Sequence, residues 1–370
     1  MMPPVYETTT SAPTRALEIG ALTDHLSTPS SRFRVRQHVA NLALKGINVT
    51  DLPRLWSTES ASQIFPNKRI RSSIPKLLTA GAFELLNLGN TYYRTLRIQR
   101  FHSAWISREL VVGYPTFEKI IKIPFFYDLD DAIFLGKGKT AVGIKRLVEG
   151  AAANFAGNQY LADFCKQYSS KVFVIPTAVD TDRFVPVSNL DENRGFVIGW
   201  SGTSSSFKFF KPLEMELTGF LKHHKGASLK ICSDRFPHEL TELAPYIQFE
   251  RWTPKNEEKQ IQSFSVGIMP LENSDWVKGK CAYKSLLYAS CGVPTIADAY
   301  GMSKDVLALG RMGIGCEGAR QWRDALEFVY MNRESLPSVF PDCRRIILEN
   351  FSVDIISTRI SKEMLAALGR

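Results

Sequence analysis

Short runs of β-branched and aromatic residues recur through this chain, each followed by a polar loop and a stretch with helical spacing of apolar residues. In the first half they stand at 15–22, 46–50, 104–107, 123–127, the start of 154–162, and 171–176. The series restarts at 196–200 (Phe-Val-Ile-Gly-Trp) and continues at 229–233, 247–252, 266–271 and 293–297. Buried strands alternating with helices have one economical solution, a parallel sheet covered on both faces, because a parallel crossover needs enough chain to return along the sheet. Two such series in 370 residues predict an α/β protein of two doubly wound, Rossmann-like domains facing one another across a cleft. The polar stretch 177–194, which contains Pro186, marks the hinge, and places a first domain at 14–186 and a second from 187. Residues 1–13 read as a short disordered tail.

Composition narrows the class. Hydrophobic residues make up 44% and charged residues 22%, so the chain is a folded globular protein rather than a disordered one. No apolar run reaches the roughly 18 residues of a membrane span, and the N-terminus lacks a charged region followed by an apolar one, so it is not a secretory signal. The six cysteines, at 165, 232, 281, 291, 316 and 343, form no metal-ligand spacing, which fits reduced thiols in a cytoplasmic protein. A net charge of +9 predicts an anionic partner, but nucleic-acid binding ranks last because no recognised motif accompanies the charge. Between Asp51 and Arg100 eight basic residues face three acidic ones, interleaved with Phe65, Leu77, Leu78, Leu85, Leu86, Tyr92 and Tyr93. Residues 65–100 therefore suit either a helix lying on the anionic inner face of a membrane or a helix with a core face and a solvated basic face.

Candidate chemistry concentrates at the carboxyl ends of the predicted strands. In 275–297, Lys280 and Lys284 stand near the start of a helix that Gly292 ends and Pro294 keeps from continuing. Two cations beside the positive end of a helix dipole suit a phosphate, although basic residues in such a loop can equally be solvated. The loop Ser201-Gly-Thr-Ser-Ser-Ser206 lets backbone N–H groups approach phosphate, yet it has neither the P-loop nor the dinucleotide spacing. In the first half, Arg32, Arg34 and Arg36 follow the first strand and precede a predicted helix over 35–45. Asp128, Asp130 and Asp131 follow the strand 123–127, where crowded carboxylates can act as base, electrostatic stabiliser or metal ligand, or can cap a helix and pair with an arginine.

The runs Gly199-Trp-Ser-Gly202, Phe249-Glu-Arg-Trp252, Val266-Gly-Ile-Met-Pro-Leu271, Lys280-Cys-Ala-Tyr-Lys284 and Gly292-Val-Pro-Thr-Ile296 resemble the donor half of family 4 glycosyltransferases of the GT-B fold. Arg32-Phe-Arg34-Val-Arg36 and Tyr127-Asp-Leu-Asp-Asp-Ala132 look like the acceptor half of a bacterial subgroup of that family, with its DLDDA-type motif. The second domain would then end near 350, and 351–370 is similar to the helix that crosses back onto the first domain in that fold.

The resemblance implies retaining transfer from a nucleotide-sugar to a glycan or lipid-linked acceptor in polysaccharide or glycoconjugate synthesis, without a bound metal or other cofactor. It assigns Ser201, Gly202, Thr203, Lys280, Tyr283 and Lys284 to the nucleotide-sugar, with the base near Arg251, Trp252 and Thr253. Asp130, Asp131, Arg32 and Arg34 become the candidate catalytic and acceptor-orienting residues. Many members carry two glutamates eight residues apart; the corresponding positions here are Gly279 and Leu287, so recognition of the donor differs or activity is lost. Two alternatives follow: a catalytically silent GT-B partner of an active transferase, and a GT-B-like nucleotide-sugar epimerase.

Overall fold

A computed structural model describes residues 16–26, 28–55, 76–111, 113–136, 139–187 and 195–370. The first half forms a six-stranded parallel sheet from β1 (Leu17–Thr23), β2 (Ile47–Pro53), β3 (Ser103–Ser107), β4 (Phe125–Leu129), β5 (Ala153–Ala156) and β6 (Val172–Val174), in the order β2-β1-β3-β4-β5-β6. The second half forms another from β7 (Phe196–Ser201), β8 (Ala227–Ser233), β9 (Ile247–Arg251), β10 (Val266–Met269), β11 (Thr295–Asp298) and β12 (Gly313–Cys316), in the order β12-β11-β10-β7-β8-β9. Every residue of β3, β4, β5, β7, β10 and β11 is buried, as strands covered by helices on both faces must be. In each sheet the chain returns to the far side of its first strand, so a crevice opens between β1 and β3 and another between β7 and β10. Such reversals, at the carboxyl ends of the strands, are where open α/β sheets take ligands. The predicted α/β architecture of two doubly wound domains is the observed one.

Three local expectations differ. The helix predicted over 35–45 is broken into a helix at Pro29–Arg34, a single 3-10 turn at Arg36–His38 and a helix at Val39–Ala43. Pro29 starts the first piece, where a missing N–H costs nothing, and both Arg34 and His38 turn inward. Strand β4 runs on to Leu129, so Asp128 is a residue within a buried strand rather than one beyond its end. Strand β12, Gly-Ile-Gly-Cys, escaped prediction because its glycines give neither an apolar run nor an alternation.

The helix Val353–Ala367 leaves the second half and lays Ile356, Ile360 and Met364 in one cluster with Leu17, Ile19, Trp105 and Phe155 of the first sheet. His38 Nδ1 lies 2.8 Å from Ser357 Oγ in this seam, and burial pushes its pKa down to about 3, which keeps the ring neutral. Helix Lys76–Ile98 covers the other side; it turns Arg94 and Thr95 inward and exposes Leu85, Leu86 and Tyr93. No helix among the described residues is long and apolar enough to cross a membrane. The proposed tail at 1–13 and the portion 65–75 of the basic segment lie outside the described residues.

Candidate active site

The crevice of the second sheet is built around Lys284. This lysine lies in the first turn of helix Tyr283–Ser290, and a Cβ on Gly202 would come within 2.7 Å of its Cε and 2.8 Å of the Trp200 ring, so the glycine lets loop, lysine and ring pack together. Its ammonium sits 5.5 Å from the Trp200 ring centroid. Burial, with Lys280 as the second cause, pushes its pKa down to about 8. The Ser201 N–H donates to Tyr288 Oη (3.0 Å), the Ser233 hydroxyl donates to the Gly202 carbonyl (2.8 Å), and the Ser204 N–H donates to Asp234 (2.7 Å). The small-residue loop is thus fixed in shape beside a cation and a helix N-terminus, an arrangement that suits a diphosphate. Ala282, just before that helix, adopts a left-handed conformation (φ 49), a costly choice for a residue with a Cβ.

The first half contributes carboxylates. Asp130 accepts from the Ser30 hydroxyl and has an oxygen 3.8 Å from Arg108 Nη1. Asp131 points to the other half, 4.0 Å from Lys280 Nζ; burial pushes its pKa up, with Lys280 opposing. Arg34 requires a correction. Its side chain is 2% exposed, donates to both Asp128 oxygens at 2.8 and 3.2 Å and to the Ile175 carbonyl at 2.7 Å, and so has no face left for an acceptor. Asp128 is equally withdrawn as its partner. Arg36 is engaged by Asp51 at 2.6 Å.

The halves meet through several residues. Asn158 caps helix Gln159–Lys166 by accepting from the Leu161 N–H, while its amide donates to the carbonyls of Lys278 (3.0 Å) and Lys280 (3.1 Å). Cys281 Sγ donates to the Asp130 carbonyl, and the Phe33 and Tyr283 rings lie 4.0 Å apart. Arg32 reaches Glu257 at 3.4 Å and stands 5.8 Å from the Trp252 ring, so it sits near the proposed base region rather than beside Asp130. Arg251 ends β9 in an exposed position, and Trp252 and Thr253 follow it half-buried. Sequence reasoning assigned no site role to Asn158, Glu257 or Arg108, because each acquires its partner from the other half or from a distant strand.

The two substituted glutamate positions have structural occupants. Leu287 is buried in the core of the second half, and Gly279 packs directly on Ala132 of the first. All six cysteines are buried and unpaired. Among the described residues no three His, Cys, Asp or Glu side chains are grouped as metal ligands.

No family model and no curated protein matches this chain. Its fold is shared with solved structures at low identity. Sucrose-phosphate synthase from Thermosynechococcus elongatus aligns with a TM-score of 0.67 and 12% identity over 95% of this chain and 99% of that one. A glycosyltransferase from Rickettsia africae aligns at 0.68 and 13% over 95% and 99%. HepE of Anabaena, in complex with UDP and glucose, aligns at 0.67 and 12% over 95% and 100%; these likenesses establish that the chain has the two-domain GT-B fold.

Proposed function

We propose that the chain is a glycosyltransferase that holds a nucleotide-sugar in the β7–β10 crevice and passes the sugar to a hydroxyl presented by the first half. One observation carries this reading. The cationic corner of Lys280, Lys284 and the Ser201–Thr203 loop faces Asp131 across the cleft at 4.0 Å from Lys280. A leaving diphosphate develops charge as its bond to the sugar breaks, and Lys280, Lys284 and the helix start at Tyr283 stabilise that charge. Asp130 and Asp131 orient the acceptor hydroxyl and accept its proton. Trp252 offers an apolar platform for the base, flanked by Arg251 and Thr253, and Arg32 closes that end. Solved complexes of HepE with UDP and with UDP-glucose support a nucleotide-sugar as the ligand class.

The finer reading follows the sequence resemblance: a retaining reaction, no requirement for metal, and a glycan or lipid-linked acceptor in polysaccharide or glycoconjugate synthesis. Leu85, Leu86 and Tyr93, exposed beside the basic segment, support peripheral contact with an anionic membrane on its cytoplasmic side. The contact between Gly279 and Ala132 favours a second reading, a silent partner of an active transferase, because no carboxylate fits at position 279 in this arrangement.

Donor binding separates success from failure. Calorimetry with UDP-, GDP- and ADP-sugars is expected to find one that binds, and Lys280→Ala and Lys284→Ala each to weaken it by about tenfold or more. Unchanged affinity in both variants would remove the diphosphate assignment. Transfer or donor hydrolysis by the isolated chain rejects the silent-partner reading.

A further inference from the structure

Glu257 stands in the wall of the donor crevice with a side chain only 6% exposed. It opens the short helix Glu257–Gln262, which packs against β7 and against the helix that carries Lys284. Two neighbours mark its place. On one side the Trp252 indole N–H donates to it. On the other lies Tyr283, whose phenol has its pKa pushed up by burial and then by the Glu257 charge. Trp252 is the platform proposed for the base, and Tyr283 directly precedes Lys284 at the diphosphate corner. A carboxylate therefore sits between the base end and the diphosphate end of the crevice, where the ribose of a nucleotide must lie.

The cations around Glu257 hold it without saturating it. Arg183 gives its short contacts to Glu258, at 2.6 and 3.1 Å, and stays 3.9 Å from Glu257. Arg32 of the first half offers one nitrogen at 3.4 Å, while its Nε is buried and has no partner. An ionised carboxylate can accept about four hydrogen bonds, so an indole and two loose guanidiniums leave it capacity. Burial pushes the pKa of Glu257 up, and Arg32, then Arg183, then the indole oppose the shift. The facing helix, Tyr-Lys-Ser-Leu-Leu-Tyr-Ala-Ser over 283–290, supplies no other carboxylate. A ribose offers two adjacent hydroxyls, each able to donate and to accept, which suits an acceptor with spare capacity beside an unpaired N–H donor.

We propose that Glu257 reads the ribose of the donor: it accepts from the two ribose hydroxyls while Arg32 Nε donates to one of their oxygens, so the chain takes ribonucleotide-sugars and refuses deoxyribonucleotide ones. Placing a nucleotide in this crevice rests on the transferase reading.

Calorimetry on the full chain with UDP, GDP and ADP, with the 2′,3′-dideoxy form of whichever binds tightest, and with inorganic pyrophosphate tests it. The ribonucleotide is expected to bind at least about tenfold tighter than its dideoxy form, as the loss of hydrogen bonds to a charged group implies. Glu257→Gln should weaken the ribonucleotide to near the dideoxy level and leave pyrophosphate affinity unchanged, whereas a merely structural role would weaken every ligand. Lys284→Ala should weaken both nucleotides alike and keep the preference. Equal binding of the two nucleotide forms by the parent, a measurement that needs no variant, overturns the proposal. So does an unchanged preference in a folded Glu257→Gln chain, or a pyrophosphate affinity that falls together with that of the ribonucleotide. The two readings fail differently: nucleotide binding without ribose preference overturns the ribose assignment alone, and absence of binding by every nucleotide removes the transferase reading and the ribose assignment with it.

Discussion

Gly279 of the second half and Ala132 of the first are packed so closely that a Cβ on Gly279 would fall 2.5 Å from the Ala132 Cβ and 2.8 Å from its backbone nitrogen. The loop before Lys280 therefore reaches the DLDDA-type turn only because residue 279 has no side chain. Glycine here is a condition for the contact between the halves, which brings Lys280 to Asp131.

Gly279→Ala should force the halves apart or strain the seam, at a cost of about 1–3 kcal/mol for an overpacked contact. Urea denaturation and small-angle scattering read the two outcomes. A variant with the parent's stability and the parent's radius of gyration would show that the seam yields freely.

In the proposed function Lys284 holds the diphosphate as a cation, and burial, then Lys280, pushes its pKa down to about 8. Donor affinity is therefore expected to fall as pH rises through 8, because the proton that supplies the attraction is then lost. Lys284→Arg, which stays charged, should flatten the profile. Calorimetric titration of the donor between pH 7 and 9 checks it, and an affinity that holds across that range in the parent would exclude Lys284 from the phosphate contact.

Removing one partner of the Arg34–Asp128 pair leaves a charge stranded in the first core. Asp128→Ala should cost roughly 3–5 kcal/mol, while the double change Arg34→Met with Asp128→Leu should cost much less than two single losses. Chemical denaturation of the two singles and the double tests the coupling. Additive losses would mean the pair acts independently of its burial.

Asn158 does two jobs from one side chain. Asn158→Ser keeps an oxygen for the helix cap and loses the amide that holds Lys278 and Lys280, so it should weaken donor binding with little loss of stability. Asn158→Ala should lose both, with a stability cost of about 0.5–2 kcal/mol for the cap. Equal donor affinity in the parent and both variants would deny the clamp.

The sequence by itself determined the alternation of strand and helix, and with it two parallel sheets, because strands buried on both faces must be apolar throughout and cannot return without a crossover. It also marked the end of the Lys284 helix: Gly292 takes the left-handed conformation (φ 74) and the Val293 N–H closes on the Tyr288 carbonyl, local chemistry that residue type dictates. Tertiary structure alone decided which polar residues face the cleft. Arg34 and Arg32 lie two apart in the sequence, yet the first is committed to a buried carboxylate and the second to Glu257 of the other half. The same holds for Asp128 against Asp131, where the end of β4 at Leu129 separates a core ion pair from a partner for Lys280. Periodicity records which way a side chain points relative to its own element, but not what another element, far away in sequence, brings to meet it. Gly279, Asn158 and Glu257 take their roles from that second fact.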